Sequence, residues 1–422
     1  MTTSLMRLLY TLAVFLLLPV ALLYLALRSR RQPGQFKHLA ERFGFYPPRG
    51  SGAPLIWVHA VSIGETRAAE PLIRALRVRY PRHRILLTHM TSTGRETGET
   101  LFGQEAERCY LPLDYPAAVA RFFEHFRPQA GILMETELWP NLISAARARK
   151  IPLFLVNARM SAKSHAAYRK FRGLAREGLA SVTRIAAQGS DDARRLVDLG
   201  AGDVRVTGSL KFDIAPPAAQ LELGRAFRRE VGAGRPVLMA GSTREGEEAL
   251  LLDVLPQIPV GRLLIAIVPR HPQRFEEVAR LLESRGIRYQ RRSGGKAVAS
   301  ETRVVLGDSM GEMFAYYAAC DIAFVGGSLV PLGGQNLIEA CAAGKPVLVG
   351  PSTYNFREAT ERAVEAGAAI QVADAKELAR EAARLLTDPA AMRGMSEAAL
   401  AFAEAHRGAT ARVLELIELS EA

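Results

Sequence analysis

The chain predicts an α/β fold of two doubly wound, Rossmann-like domains facing each other across a cleft, and three observations predict it. Short apolar, β-branched runs alternate with helical stretches from Leu55 onward. The alternation pauses at Pro216-Pro217 and then restarts for a second round. Several of the runs stop at small, polar or glycine-containing turns, the carboxyl-end position where open parallel sheets hold ligands.

Length and composition agree with that picture. At 422 residues the chain exceeds one ordinary core, and two domains accommodate it. Hydrophobic residues at 49% against charged residues at 23% exclude a disordered chain. The formal net charge of +12, carried by scattered arginines rather than one block, favours an anionic partner: nucleic acid, an acidic membrane face, or a phosphorylated or carboxylated substrate. Cys109, Cys320 and Cys341 form no C-x-x-C pair, so they read as core packing in a reducing compartment, without disulfides or zinc.

Residues 1–32 predict an N-terminal membrane anchor. Leu8 to Leu27 is nearly unbroken apolar sequence, at about 20 residues long enough for a bilayer core. It ends in Arg28, Ser29, Arg30 and Arg31 rather than in a small-residue cleavage site. Arg7 stands nearly alone on one side, against Arg28, Arg30, Arg31, Lys37, Arg42 and Arg49 on the other, which predicts cytoplasmic domains on a single-pass anchor.

Residues 33–212 form the first predicted domain, with strands at Leu55–Ala60, Ile85–Thr88, Ala130–Met134, Leu153–Val156, Arg184–Ala187 and Val204–Leu210. A linker over 213–234 follows. The second domain, 235–422, has strands at Val237–Ala240, Leu263–Val268, Val304–Leu306, Ile322–Val325 and Val347–Val349, then helices at Lys376–Leu386 and Ala411–Leu419.

The candidate chemistry sits at strand ends. After Ile56-Trp57-Val58-His59, the turn Ser62-Ile63-Gly64-Glu65 leads into an amphipathic helix from Ala68 to Arg79. Gly64 permits close backbone approach, and Glu65 either acts as a base or merely complements the helix dipole. Glu135 and Glu137 follow the strand ending at Met134 and point to the same rim, where two acids can divide labour; Glu137 alternatively caps its helix. Lys211, in Gly208-Ser209-Leu210-Lys211-Phe212-Asp213, offers a cation for a substrate anion or for developing charge, or is a solvated linker charge.

In the second domain, Ser242 lies in Gly241-Ser242-Thr243-Arg244, a small hydroxyl turn suited to an anion, and Arg270 in Pro269-Arg270-His271 offers a bidentate fork. His271 lacks partners at metal-ligand spacing. The most specific stretch is Gly326-Gly327-Ser328-Leu329-Val330-Pro331-Leu332-Gly333-Gly334-Gln335-Asn336-Leu337-Ile338-Glu339. Its amides suit phosphate and Glu339 suits ribose hydroxyls, yet it matches neither a dinucleotide fingerprint nor a Walker loop.

On the apolar N-terminus, Ser62-Ile63-Gly64-Glu65, Glu135-Thr136-Glu137-Leu138-Trp139-Pro140-Asn141, Asn157-Ala158-Arg159, Gly208-Ser209-Leu210-Lys211-Phe212-Asp213, Pro269-Arg270-His271, Met310-Gly311-Glu312 and the glycine loop, nearly the whole chain resembles the 3-deoxy-D-manno-octulosonic acid (Kdo) transferases of lipid A assembly, which are GT-B glycosyltransferases. The resemblance implies inverting, metal-independent transfer of Kdo from CMP-Kdo to a lipid A precursor at the inner membrane, in lipopolysaccharide biosynthesis, without a cofactor. It implies an acceptor domain at the N-terminal side and a CMP-Kdo domain after it.

Glu65 matches the family's general base, and Glu135 and Lys211 match positions that stabilise the transition state. Pro269, Arg270, Met310, Gly311, Glu312, Asn336, Leu337, Ile338 and Glu339 match CMP-binding positions, with Ser242 and Ser328 beside them. The anionic donor and acceptor give the positive charge a use, and Lys163, Tyr168, Arg169, Lys170 and Arg172 suit acceptor phosphates or anionic headgroups of inner-membrane lipids. One departure stands out: many members read His-Asn-Pro where this chain has Gln335-Asn336-Leu337. The alternatives are a GT-B enzyme using a UDP-sugar and a non-catalytic membrane-anchored binding protein. Nucleic acid is not expected, because basic residues are not interleaved with stacking aromatics.

Overall fold

A computed structural model describes residues 3–29, 38–48, 52–232 and 234–419. The chain divides into two units, residues 1–213 with 408–422 and residues 214–407.

The first unit is built on a seven-stranded, wholly parallel sheet in the order β3-β2-β1-β4-β5-β6-β7. The strands are β1 (Leu55–His59), β2 (Arg84–His89), β3 (Glu107–Tyr110), β4 (Ala130–Met134), β5 (Leu153–Ala158), β6 (Arg184–Ala187) and β7 (Val204–Val206). Both faces are covered, which is why β1 reads as a continuous apolar run. Leu55 and Trp57 pack on one side with Val119, Phe122, Phe123 and Phe126 of the Pro116–Phe126 helix. Ile56 and Val58 pack on the other with Ala68, Ala69, Leu72, Ile73 and Leu76 of the Ile63–Arg79 helix.

The second unit repeats the plan with a parallel sheet ordered β10-β11-β9-β8-β12-β13-β14. Its strands are β8 (Val237–Thr243), β9 (Leu264–Pro269), β10 (Tyr289–Arg291), β11 (Val304–Leu306), β12 (Ile322–Val325), β13 (Val347–Val349) and β14 (Ala369–Gln371). Each sheet has a reversal where neighbouring strands send the chain to opposite sides, between β1 and β4 and between β8 and β12, and in the second sheet β11 returns between β10 and β9. Ligand sites belong at such reversals, beyond the carboxyl ends of the strands. The three cysteines are buried free thiols.

The expected boundaries shift at both ends of the second unit. The Ala218–Val231 helix, assigned above to a linker, belongs to the second unit. The chain then leaves that unit: the Ala409–Leu416 helix returns to the first and packs Ala409, Val413, Leu416 and Ile417 against its core. Asp213 secures the return by accepting the Gly408 and Thr410 amides at 2.9 and 2.6 Å.

The N-terminal anchor is overturned. Among the described residues no helix is long and apolar enough to cross a membrane. Thr3–Ser29 is helical, with Pro19 inside it, but its first half is docked on the first unit. Arg7 bonds Ser144 and Glu177, Thr11 bonds Asn141, Tyr115 donates to the Val14 carbonyl at 3.0 Å, and the Phe15 and Tyr115 rings lie 4.5 Å apart. These attachments tie one side of the helix to protein, while Leu8, Leu12, Leu16 and Leu17 remain exposed. The single-pass anchor and the inner-membrane placement that rested on it do not stand.

Candidate active site

At the end of β1 the backbone turns through Ala60 and Val61, and the helix starts earlier than its amphipathic pattern indicated. Ser62 is the N-cap, in extended backbone, so Glu65 falls in the first turn. The Ser-x-x-Glu spacing is that of a capping box, with a variation. Glu65 Oε2 accepts the Val61 N–H at 2.8 Å and Oε1 accepts the Ser62 hydroxyl at 2.9 Å. The side chain is buried, and burial raises its carboxyl above the usual range. The Val61 N–H opposes the rise, Glu135 adds to it, and Ser62 and Lys211 oppose it.

Glu135 follows β4 directly, on the other side of the sheet's winding reversal. It sits in left-handed backbone, φ 57°, a conformation costing a non-glycine residue about 1–2 kcal/mol. Its amide donates to the Val156 carbonyl and its carboxylate takes Lys211 Nζ at 2.8 Å. Lys211 lies on the short turn Leu210–Phe212 after β7. Fully buried Asn157, also left-handed at φ 54°, fixes that turn by accepting the Leu210 amide at 3.0 Å and the Ser209 hydroxyl at 3.3 Å. Gln188 in turn donates to the Asn157 carbonyl.

Glu137 completes the group. Burial first, then the nearby Glu65, pushes its carboxyl up to about 7 against the opposing Trp139 Nε1–H bond of 2.9 Å. Three carboxylates and one ammonium thus influence one another at the first sheet's reversal. A buried, hydrogen-bonded acid with a raised pKa beside a charged pair is suited to proton transfer near neutrality. Sequence reasoning named Glu65, Glu135 and Lys211. It passed over the supporting Asn157 and the titration of Glu137, although both lie in quoted motifs.

In the second unit the glycine loop follows β12. Gly326 is needed because a Cβ there would lie 2.5 Å from the Ser242 carbonyl and 2.6 Å from Thr243 Cα, where the end of β8 crosses. The loop's amides do not face outward as expected. Glu247, fully buried, accepts four N–H groups: Oε2 from Arg244 and Gly327 at 2.9 and 2.5 Å, and Oε1 from Ser328 and Leu329, both at 3.0 Å. An internal carboxylate occupies the concavity that an external phosphate was expected to fill. Ser328 is fully buried as well, its hydroxyl donating to the Val325 carbonyl and accepting the Gly350 amide. It supports the loop from within.

The other named residues gather along the same strand ends. Ser242 is left-handed at φ 54° and half-buried. Pro269 ends β9, and the Arg270 amide donates to the Thr243 carbonyl. Asn336 accepts the Ile338 amide and donates weakly to Glu339. Leu337 and Ile338 have fully buried side chains. In the Met310-Gly311-Glu312 turn, Met310 is exposed and Glu312 accepts the Ser309 hydroxyl at 2.6 Å. Gln220 grips that turn, donating to the Gly311 carbonyl and accepting the Phe314 amide. Neither Glu247 nor Gln220 was legible as a partner, since 80 and 91 residues separate them from Gly327 and Gly311.

Comparison with known proteins adds an independent observation. The family described as 3-deoxy-D-manno-octulosonic-acid transferase (kdotransferase) matches residues 37–214, and the family described as glycosyl transferases group 1 matches residues 288–402. A 3-deoxy-D-manno-octulosonic acid transferase of Bordetella pertussis is 47% identical, over 97% of this chain and 98% of that protein. One of Haemophilus influenzae is 38% identical, over 98% of each. Among solved structures, a glycosyltransferase from Rickettsia africae matches at 14% identity with a TM-score of 0.52, covering 87% of this chain and 98% of that one. That last likeness concerns the fold alone.

Proposed function

We infer the reaction from a settled premise: the chain belongs to the Kdo transferase family and is a glycosyltransferase of lipopolysaccharide biosynthesis. Its donor is CMP-Kdo and its acceptor a lipid A precursor, and transfer inverts the anomeric centre. The observation that carries this reading is the buried Glu65 carboxylate, raised in pKa and neighboured by the Glu135–Lys211 pair.

Glu65 takes the proton of the acceptor hydroxyl as its oxygen attacks the anomeric carbon from the face opposite CMP. The bond from that carbon to the phosphate oxygen breaks, and its electron pair leaves with CMP. CMP departs as a stable anion, so no acid is needed to protonate it. Lys211, held by Glu135, balances negative charge as it develops. The donor is held by the second unit through Pro269, Arg270, the Met310-Gly311-Glu312 turn and Asn336 to Glu339. Lys163, Arg169 and Lys170, exposed on the Ala162–Lys170 helix, meet acceptor phosphates.

Glu65→Gln tests the base. Glutamine keeps a carbonyl for the Val61 amide, so the helix start survives. Transfer of Kdo from freshly generated CMP-Kdo, followed by product mass spectrometry, should fall by roughly 100-fold or more while CMP binding persists. A wild-type rate would remove Glu65 from the reaction.

A further inference from the structure

Glu247 withdraws three glycine-loop amides from any external anion, yet the rim beside them is electropositive. The loops after β8 and β9 bring Arg244, Arg270 and Arg274 towards His271. After burial, these three guanidiniums are what hold the His271 imidazole below its ordinary pKa. Arg274 is neutralised within the protein, gripping Glu248 through bonds of 2.6 and 3.0 Å.

Arg244 is placed differently. Its amide is pinned at 2.9 Å by Glu247 Oε2, the oxygen that also takes the Gly327 amide. Its side chain leans on the loop, with Cγ 3.4 Å from where a Cβ on Gly327 would stand. The residue is half-buried, and among the described residues its guanidinium has neither a hydrogen-bond nor an ion-pair partner. An unpartnered guanidinium at this rim keeps its donors for an arriving anion.

We propose that Arg244 is a donor-binding residue that clamps the phosphate of the nucleotide sugar, taking the role that the loop amides would have had if Glu247 did not occupy them. The proposal rests on the nucleotide-sugar reading above and extends it to a residue outside the motifs that carry the family resemblance. A guanidinium fork suits two phosphate oxygens at once. Glu247 then acts as a positioning residue, setting the loop and the Arg244 backbone with one carboxylate.

Calorimetric titration of the full chain with CMP and with cytidine, which lacks the phosphate, tests this. Arg244→Ala should raise the Kd for CMP by roughly 10- to 100-fold and leave that for cytidine unchanged, with Arg244→Lys in between. Added salt should weaken CMP binding more in wild type than in Arg244→Ala. A CMP Kd within about twofold of wild type, or an equal loss for cytidine, overturns the proposal. Should Arg244→Ala lower the unliganded melting temperature, Arg244→Lys and Arg244→Gln decide by the same criteria. If wild type binds UDP and not CMP, the donor assignment is wrong, and UDP against uridine settles Arg244 separately.

Discussion

Replacing Glu247 measures how much of the second unit's glycine-loop rim hangs on one buried side chain. Its two oxygens accept four backbone N–H groups with no exposure to water. Glutamine keeps one carbonyl oxygen and turns an amide donor towards the remaining N–H groups, so two of the four lose their acceptor. An orphaned buried donor costs about 1–3 kcal/mol, giving roughly 2–6 kcal/mol for the pair.

Burial itself pushes the Glu247 carboxyl above its ordinary pKa despite those amides, so removing the charge returns part of the loss. The expected value therefore lies near the lower end. For a unit of this size each kcal/mol is worth about 2–4 °C, so Glu247→Gln should lower the second unit's unfolding transition by about 5–15 °C. Alanine orphans all four donors, a loss on the order of the 5–15 kcal/mol that holds a whole domain together, and should leave the second unit unfolded. Scanning calorimetry must separate the two units, because a single two-state midpoint is not defined for them. A Glu247→Gln midpoint within about 2 °C of wild type, with unchanged amide exchange at Gly327 to Leu329, would refute the reasoning.

Other outcomes follow from the first unit. Glu135→Gly relieves left-handed backbone and loses only a half-exposed ion pair, so urea unfolding should show unchanged stability or a gain of about 1 kcal/mol, while Kdo transfer collapses. The acid limb of kcat/KM should have its midpoint above the ordinary carboxylate range, because burial raises Glu65. Glu135→Gln should move it down and Lys211→Met up, as their opposite electrostatic influences require. Glu137, raised to about 7, binds its proton more tightly folded than unfolded. Its stabilising contribution is therefore present below the unfolded pKa and lost as pH rises towards 7, and Glu137→Gln should flatten that slope in pH-dependent melting. Gly64→Ala should stabilise the helix by about 0.5–1 kcal/mol, since a Cβ there meets nothing closer than Ser62 Oγ at 3.9 Å. If the glycine admits the acceptor, the same variant raises the acceptor KM.

What could be read in advance follows from burial. Central strands such as β1, β4, β8 and β12 are covered on both faces and are mostly apolar along their length. The strands that escaped were β3, β10 and β14, all at sheet edges, where Glu107-Arg108 and Tyr289-Gln290-Arg291 need no apolar alternation. Glu65 was legible as a candidate because the strand end, the Gly64 turn and the following helix are all local in sequence. Glu247 was not, since its partners come from another strand end and only folding brings them together. The Leu8–Leu27 run misled for the opposite reason: its composition suits a bilayer, whereas its attachment through Arg7 to Glu177 spans 170 residues.

The return of the Ala409–Leu416 helix makes the second unit an insertion within the first, with entry and exit joined at Asp213. Order of manufacture therefore differs from order of completion. A ribosome making this chain releases all seven strands of the first sheet early. Their core nevertheless waits for Ala409, Val413 and Ile417, which emerge only after the entire insert. The inserted unit is continuous and is the first to have all its parts, while the unit bearing Glu65 is begun first and sealed last. One cut between residues 213 and 214 would not free either half from the other, because the chain still passes from 407 to 408.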